Sequence, residues 1–217
     1  DDIGAVDRRD DARQVEAILE ARPSFVFNNL IGTSNYAFFR AFRAACLARG
    51  IDQPRVIPVA SCTLSEPELE EIGAEAVDGH LSSSVYFSSL SSPASLAFTR
   101  AYRELFPGGP SSSADAEASY IAMKLLILAL ADAGTDDVEA VKDAATRQHL
   151  LAPQGEVRID PQTLHAYLTP RIGISTAAAR FDVLVEAPGP VRPDPYLVQS
   201  SPRYAVAPRN TSLKVVK

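Results

Sequence analysis

Twice in this chain a short apolar run ends in small polar residues and leads into an amphipathic helix. The first unit is Phe25-Val-Phe-Asn-Asn-Leu-Ile-Gly-Thr-Ser-Asn35 and the second is Val56-Ile-Pro-Val-Ala-Ser-Cys-Thr-Leu-Ser-Glu66. Strands that alternate with helices predict an α/β domain built on a parallel sheet. In such domains the loops at the carboxyl ends of the strands offer hydroxyls and helix N-terminal N–H groups to a small molecule. The repeated unit therefore predicts a ligand cleft, without naming the ligand or saying whether chemistry happens there.

Around these units the periodicity predicts a helix from Asp10 to Ala21, with Val15, Ile18 and Leu19 on one face. Arg22-Pro23 ends it, because the residue before proline avoids helical dihedrals. The strand Phe25 to Leu30 is apolar enough to be buried on both faces. Ser34 or Asn35 is placed to cap the next helix, which is expected to reach Arg49 and stop at Gly50. Arg55 to Ala60 reads as the second strand. The helix after it has complete start signals: Ser65 and Glu68 in an S-x-x-E capping box, Leu64 and Leu69 at staple positions, and Pro67 in the first turn.

A serine-rich third strand follows from His80 to Phe87, then a polar connector from Ser88 and a helix from Pro93 to Phe106. Ala114 to Ala133 is the most apolar helix and reads as buried; Asp136 opens another with acidic residues in its first turn. Beyond it the pattern changes. Strands at Gln154–Asp160, Tyr167–Ile174 and Arg180–Glu186 predict antiparallel or mixed pairing. Val191 to Tyr196 is too proline-rich for regular structure, and residues 199–217 read as a loose tail.

The 217 residues carry a net charge of -6, and the Asp7–Arg13 charge run reads as a solvated helix start. No basic stripe is present, which argues against direct nucleic-acid binding. Tyr120 to Ala131, the longest apolar stretch, is interrupted by Lys124 and falls short of the ~20 residues that span a bilayer. The start at Asp1 has neither a basic nor an apolar leader region and reads as a cut inside a longer protein. Cys46 falls in a helix and Cys62 in a polar loop; their spacing offers no metal site, and a disulfide between them is left open.

Catalytic signatures are sparse. His80, His149 and His165 lie far apart and beside no nucleophile motif, so each reads as structural or surface. Ser82, Ser83 and Ser84 sit within a strand rather than a G-x-S-x-G elbow, and there is no P-loop or G-x-G-x-x-G. No cofactor is implied. Glu66 has the chemistry of a base, but its place in a capped first turn explains it without catalysis. By contrast Asn29, Thr33, Ser34, Ser61, Thr63 and Tyr86 all fall near predicted strand ends. Amides and hydroxyls that both donate and accept suit a small neutral polar ligand, although turn and capping roles explain each residue singly.

These stretches together resemble a known family. Val26 to Asn35, Ser61 to Glu66, and Asp78-Gly79-His80 leading to Tyr86-Phe87-Ser88 look like the amide/urea branch of the type I periplasmic binding proteins. Ala152 to Arg158, His165 before Arg171-Ile172, and Pro190 to Tyr196 extend the resemblance, which runs from about residue 12 to 198. That branch includes urea receptors of ABC transporters and the amide sensor of an aliphatic amidase operon. The resemblance implies two α/β lobes joined by three crossovers and closing on a ligand. Residues 1–90 would belong to the second lobe, 91–152 would return to the first, and 153–198 would form closing strands and a crossover.

Most of the first lobe would then be absent, leaving half a site and apolar faces prone to self-association as a homo-oligomer. The implied function is non-catalytic binding of a small amide or urea through Asn29, Leu30, Ile31, Gly32, Thr33, Ser34, Thr63, Glu66 and Tyr86. The implied partner is an ABC-transporter permease, with this chain periplasmic as a transport receptor, or an antiterminator regulator, with it cytoplasmic as an amide sensor. A serine-dependent amide hydrolase stands as the alternative.

Overall fold

A computed structural model of the chain describes residues 8–197 and 200. In chain order the elements are α1 (Arg8–Ala21), β1 (Val26–Asn28), α2 (Gly32–Leu47), α3 (Gln53–Val56), β2 (Val59–Ser61), α4 (Glu66–Ile72) and β3 (Leu81–Ser84). Then follow α5 (Pro93–Leu105), α6 (Ala114–Ala133), α7 (Val138–Thr146), β4 (His149–Ala152), β5 (Gly155–Ile159), β6 (Ala166–Tyr167), β7 (Arg171–Ser175) and β8 (Phe181–Glu186).

The strands make two sheets. One has five strands in the order β1-β2-β3-β7-β8; the other has three, β4-β5-β6. β1, β2 and β3 run parallel, with Val26 opposite Val59 and Ser61 opposite Ser82. β7 joins β3 antiparallel, and β8 joins β7. Each sheet has its own core. Val15, Leu19, Phe38, Phe39, Phe42, Leu64, Leu69, Phe87 and Phe181 fill the large one. Phe38 and Phe42, one helical turn apart, stack with ring centroids 5.5 Å apart, as residues four apart on one face do. The small core holds Ile121, Leu125, Ala152 and Val157. The chain is thus a larger α/β body and a smaller one, joined after β3 and again before β7.

Several boundaries differ from the sequence expectation for local reasons. The second strand was expected at Arg55 to Ala60. Instead the Asp52 carbonyl accepts from the Arg55 and Val56 N–H groups, winding α3, and β2 begins only after Pro58, which has no N–H to give a ladder. The third strand is confined to Leu81–Ser84, shorter than expected. α2 starts at Gly32, ahead of the expected caps Ser34 and Asn35. Asn35 is spent elsewhere: its Oδ1 accepts from Asn28 Nδ2 at 2.7 Å.

β1 is an edge strand with one covered face, not a strand buried on both, so Phe25 and Phe27 are 57% and 60% exposed. The expected strand Tyr167 to Ile174 breaks at Thr169-Pro170 into β6 and β7, which belong to different sheets. β4 was not foreseen; it pairs with β5 across a Pro153-Gln154 turn, and His149 opens it. α6 buries only the stripe Glu117, Ile121, Leu125 and Ala129, while Met123 and Ile127 face outward at 57% and 54% exposure. The burial expected from its composition holds for this stripe alone. The tail expected over 199–217 lies outside the described residues apart from Ser200.

Helix starts are otherwise well made. Leu64 and Leu69 are both buried in the large core beside the Ser65–Glu68 capping box. Ser92 caps α5 and Ser113 caps α6. α7 is capped by Asp137 rather than Asp136, its carboxylate accepting from the Ala140 N–H at 3.0 Å. Asp137→Ala is expected to lower stability by about 1 kcal/mol, the usual worth of an N-cap, in urea unfolding. Asp136→Ala is expected to change it by far less.

Candidate functional site

The carboxyl ends of β1, β2 and β3 converge, and short polar bonds hold their loops in place. After β1, Asn28 is buried and its Oδ1 accepts from the Leu30 N–H at 2.8 Å, fixing the turn. After β2, the Thr63 N–H donates to Ser61 Oγ at 3.0 Å, and the two hydroxyls lie 3.1 Å apart. The Thr63 hydroxyl donates to the Leu30 carbonyl at 3.0 Å, tying the second loop to the first. After β3, Ser84 Oγ donates to the Tyr86 carbonyl at 3.0 Å. Ser82 Oγ reaches back to the Leu64 carbonyl at 2.6 Å.

Above these loops lies a cavity of about 350 Å³. Ile31, Gly32, Cys62, Thr63, Leu64, Ser65 and Glu68 line it from the loops and helix starts after β1 and β2, and Ser84 from the end of β3. Ala114 and Asp115, from the first turn of α6, line it as well. The cavity therefore sits where the two bodies meet. Its charged lining residues are Glu68 and Asp115, both carboxylates; no lysine or arginine lines it. Glu68 Oε2 accepts from the Ser65 N–H at 2.8 Å, so the capping box also steadies the cavity wall.

The nine residues singled out from the sequence are dispersed by the fold. Ile31, Gly32 and Thr63 line this cavity. Asn29 and Leu30 line a neighbouring hollow between α1 and β1 instead. Thr33 is exposed and Ser34 half-buried in the first turn of α2. Tyr86 is wholly buried, its hydroxyl 2.9 Å from Ser112 Oγ and 3.2 Å from Thr99 Oγ1. Burial raises its pKa above the usual tyrosine value. It joins the end of β3 to α5 and to the residue before the α6 cap, and presents nothing to the cavity.

Glu66 is also buried and turned toward the connector after β3, where its Oε1 accepts from the Ser89 N–H at 3.3 Å. Burial raises its pKa, against the lowering effect of hydrogen bonds from its own helix, Ser88 and Ser89. The carboxylate in the cavity wall is Glu68, two positions further on and the acid of the capping box. Asp115 had no local signal at all, because it arrives from a helix far along the chain. Cys62 is an exposed free thiol on the cavity wall and Cys46 a buried free thiol, so no disulfide joins them. Among the described residues no group of three or more His, Cys, Asp and Glu side chains is placed to hold a metal.

A family model described as a periplasmic binding protein domain matches residues 4–202. The chain belongs to the periplasmic binding protein domain family. Solved structures share its fold. A solute-binding protein of an ABC transporter from R. palustris, in complex with benzoate, matches with a TM-score of 0.70 at 17% identity, covering 84% of this chain and 48% of its own. A second from R. palustris, in complex with 4-hydroxybenzoate, matches with a TM-score of 0.70 at 20% identity, covering 83% and 49%. A leucine-binding protein from Thermotoga maritima MSB8 matches with a TM-score of 0.62 at 21% identity, covering 81% and 47%.

This periplasmic binding protein domain thus spans about half the length of the solved structures it matches. The type I fold expected from the sequence is the one they share. The ligands named for those three proteins are benzoates and leucine, not amides or urea.

Proposed function

We propose that this chain supplies one wall of a solute-binding protein of the ABC-transporter type, which holds a small neutral amide or urea without converting it. The observation that carries this is the cavity lining: two carboxylates, hydroxyls and no cation, at the carboxyl ends of parallel strands. Amide NH2 groups donate, and Glu68 and Asp115 accept. A ligand carboxylate would meet like charge on this wall. The volume of about 350 Å³ falls within the ~300–1,000 Å³ of ligand pockets. A permease is the partner that would receive the ligand, and the periplasm the compartment.

The groups a serine hydrolase would need have other partners. The Ser82 hydroxyl is bonded to the Leu64 carbonyl, and His80 Nε2 lies 2.7 Å from the Ala76 carbonyl inside the large core. These bonds favour binding over turnover.

Cys62 offers a direct test, because it lines the cavity while the second thiol, Cys46, is buried. Its rate of reaction with an aromatic disulfide reagent is measured with and without ligand. Acetamide or millimolar urea is expected to slow the reaction about tenfold at a concentration about ten times its dissociation constant, by mass action. Benzoate is expected to leave the rate unchanged. Protection by benzoate and none by any amide would overturn the amide assignment.

A further inference from the structure

Where α6 begins, between the two bodies, a buried acid meets a buried amide whose oxygen has no partner. Glu117 is wholly buried in the first turn of α6. Its Oε1 accepts from the backbone N–H of Gln154 at 3.2 Å, and its Oε2 from Gln154 Nε2 at 3.1 Å. Gln154 forms the β4–β5 turn and is 2% exposed, and its Oε1 has no hydrogen-bond partner. Its carbonyl accepts from Arg171 Nη2 at 2.9 Å, and Arg171 Nη1 donates to the Val85 carbonyl at 2.6 Å. An unbroken set of bonds therefore runs from α6 through the hairpin turn to the end of β3.

We propose that Glu117 is a proton-operated clasp at this joint: taking up one proton from solvent holds the β4–β5 turn against α6, and releasing it loosens the turn. The orphaned Gln154 Oε1 supplies the geometry. With the amide turned over, that oxygen faces Glu117 Oε2 and a carboxylic O–H donates to it in exchange for the Nε2 bond, the amide NH2 takes the place the oxygen held, and the Gln154 N–H bond to Oε1 stays in place. The ionised form keeps both bonds from Gln154 but holds a wholly buried charge with no ion pair of its own among the described residues, which is costly away from water.

The surrounding charges do not offset this. Arg171 on β7 attracts Glu117, but its Nε is held by Glu186 on β8 at 2.6 Å. On β4 and β5, His149 and Glu156 pair with each other at the surface, and Arg158 lies over the Tyr167 ring on β6. On α5, Arg100 pairs with Glu104; Arg147, after α7, pairs with Asp132 at the far end of α6. Asp115, on α6 itself, faces the cavity. Desolvation accordingly raises the Glu117 pKa to about 7, against hydrogen bonds from Gln154 and the charge of Arg171. Asp115 stands two residues before Glu117, so the clasp also seats that wall of the cavity.

The Gln154 amide reports the clasp, since its N–H is one of the bonds to Glu117. Hydrogen exchange, corrected for intrinsic rates, is compared from pH 5 to pH 8 in the wild-type chain and in Glu117→Gln. If the opened form has an ordinary glutamate pKa, linkage makes closing about seventyfold more favourable at pH 5 than at pH 8. Protection of Gln154 is expected to fall by that factor as pH rises in the wild type, and to stay flat in Glu117→Gln. Constant protection in the wild type, or an undiminished fall in the variant, overturns the proposal. Should the variant fail to fold, carbon-13 titration of the Glu117 carboxyl in the wild type decides it. A midpoint near 7 supports the clasp, and one near 4.5 refutes it.

Discussion

Arg171→Met is expected to cost about 3–5 kcal/mol in urea unfolding, the range seen when one partner of a buried ionic network is removed. The side chain is 7% exposed and donates to four acceptors: the carbonyls of Val85, Thr169 and Gln154, and the carboxylate of Glu186. Methionine keeps most of the bulk, so little of the loss comes from a cavity. Most comes from carbonyls left dry, at ~1–3 kcal/mol each when no water replaces the donor. The Glu186 side chain is 50% exposed and rehydrates, so it adds little. Arg171→Lys keeps the charge but not the planar fork, and is expected to recover only part of the loss. A loss below ~1 kcal/mol for the methionine variant would mean that water already reaches those carbonyls.

Because Arg171 bridges the end of β3, the β4–β5 turn and β8, its removal tests the joint between the bodies more than either core. Nothing near it in sequence announces this. Ile172, Gly173 and Ile174 spell a strand, and the arginine at its start reads as an ordinary flank. Two of its four partners, Val85 and Gln154, lie 86 and 17 residues away.

What was legible in the sequence was local. The Ser65–Glu68 box works because all its partners lie within one turn, and it formed as expected. The loops after β1 and β2 were legible for the same reason, since Asn28, Ser61 and Thr63 bond within a few residues. Illegible were the fates of side chains whose partners come from elsewhere. Tyr86 sits at a strand end, where a ligand contact is plausible, yet Thr99 and Ser112 claim its hydroxyl. Glu66 and Glu68 look alike in the sequence, and only the packing of the Ser89 connector decides which one is buried away from the cavity. For α6 an apolar composition does not say which faces are covered, and only the stripe Glu117, Ile121, Leu125 and Ala129 is.

Two buried groups titrate in opposite senses and hide each other. Burial pushes Glu117 up to about 7, above an ordinary 4.5. Between those values the folded chain holds the extra proton, so this contribution to stability is full at low pH and is lost as pH rises toward 7. Burial pushes His80 down to about 4 from 6.5, beside the Phe39 ring at 4.4 Å. Here the unfolded chain holds the extra proton, so the contribution is lost as pH falls from 6.5 toward 4. Each changes by roughly 2 kcal/mol between pH 4.5 and 6.5, with opposite sign. Their sum in the wild type is nearly flat.

Glu117→Gln removes one of them, and the stability difference from wild type is expected to swing by roughly 2 kcal/mol over that window, the variant gaining as pH rises. His80→Gln is expected to swing the other way by a similar amount. Urea unfolding at stepped pH measures both, and subtracting the wild-type curve cancels the remaining carboxylates. Parallel curves for Glu117→Gln and wild type would show that Glu117 stays ionised in the folded chain. Because His80 lies in the large core and Glu117 at the joint, Gln154 exchange should follow pH even where global stability does not.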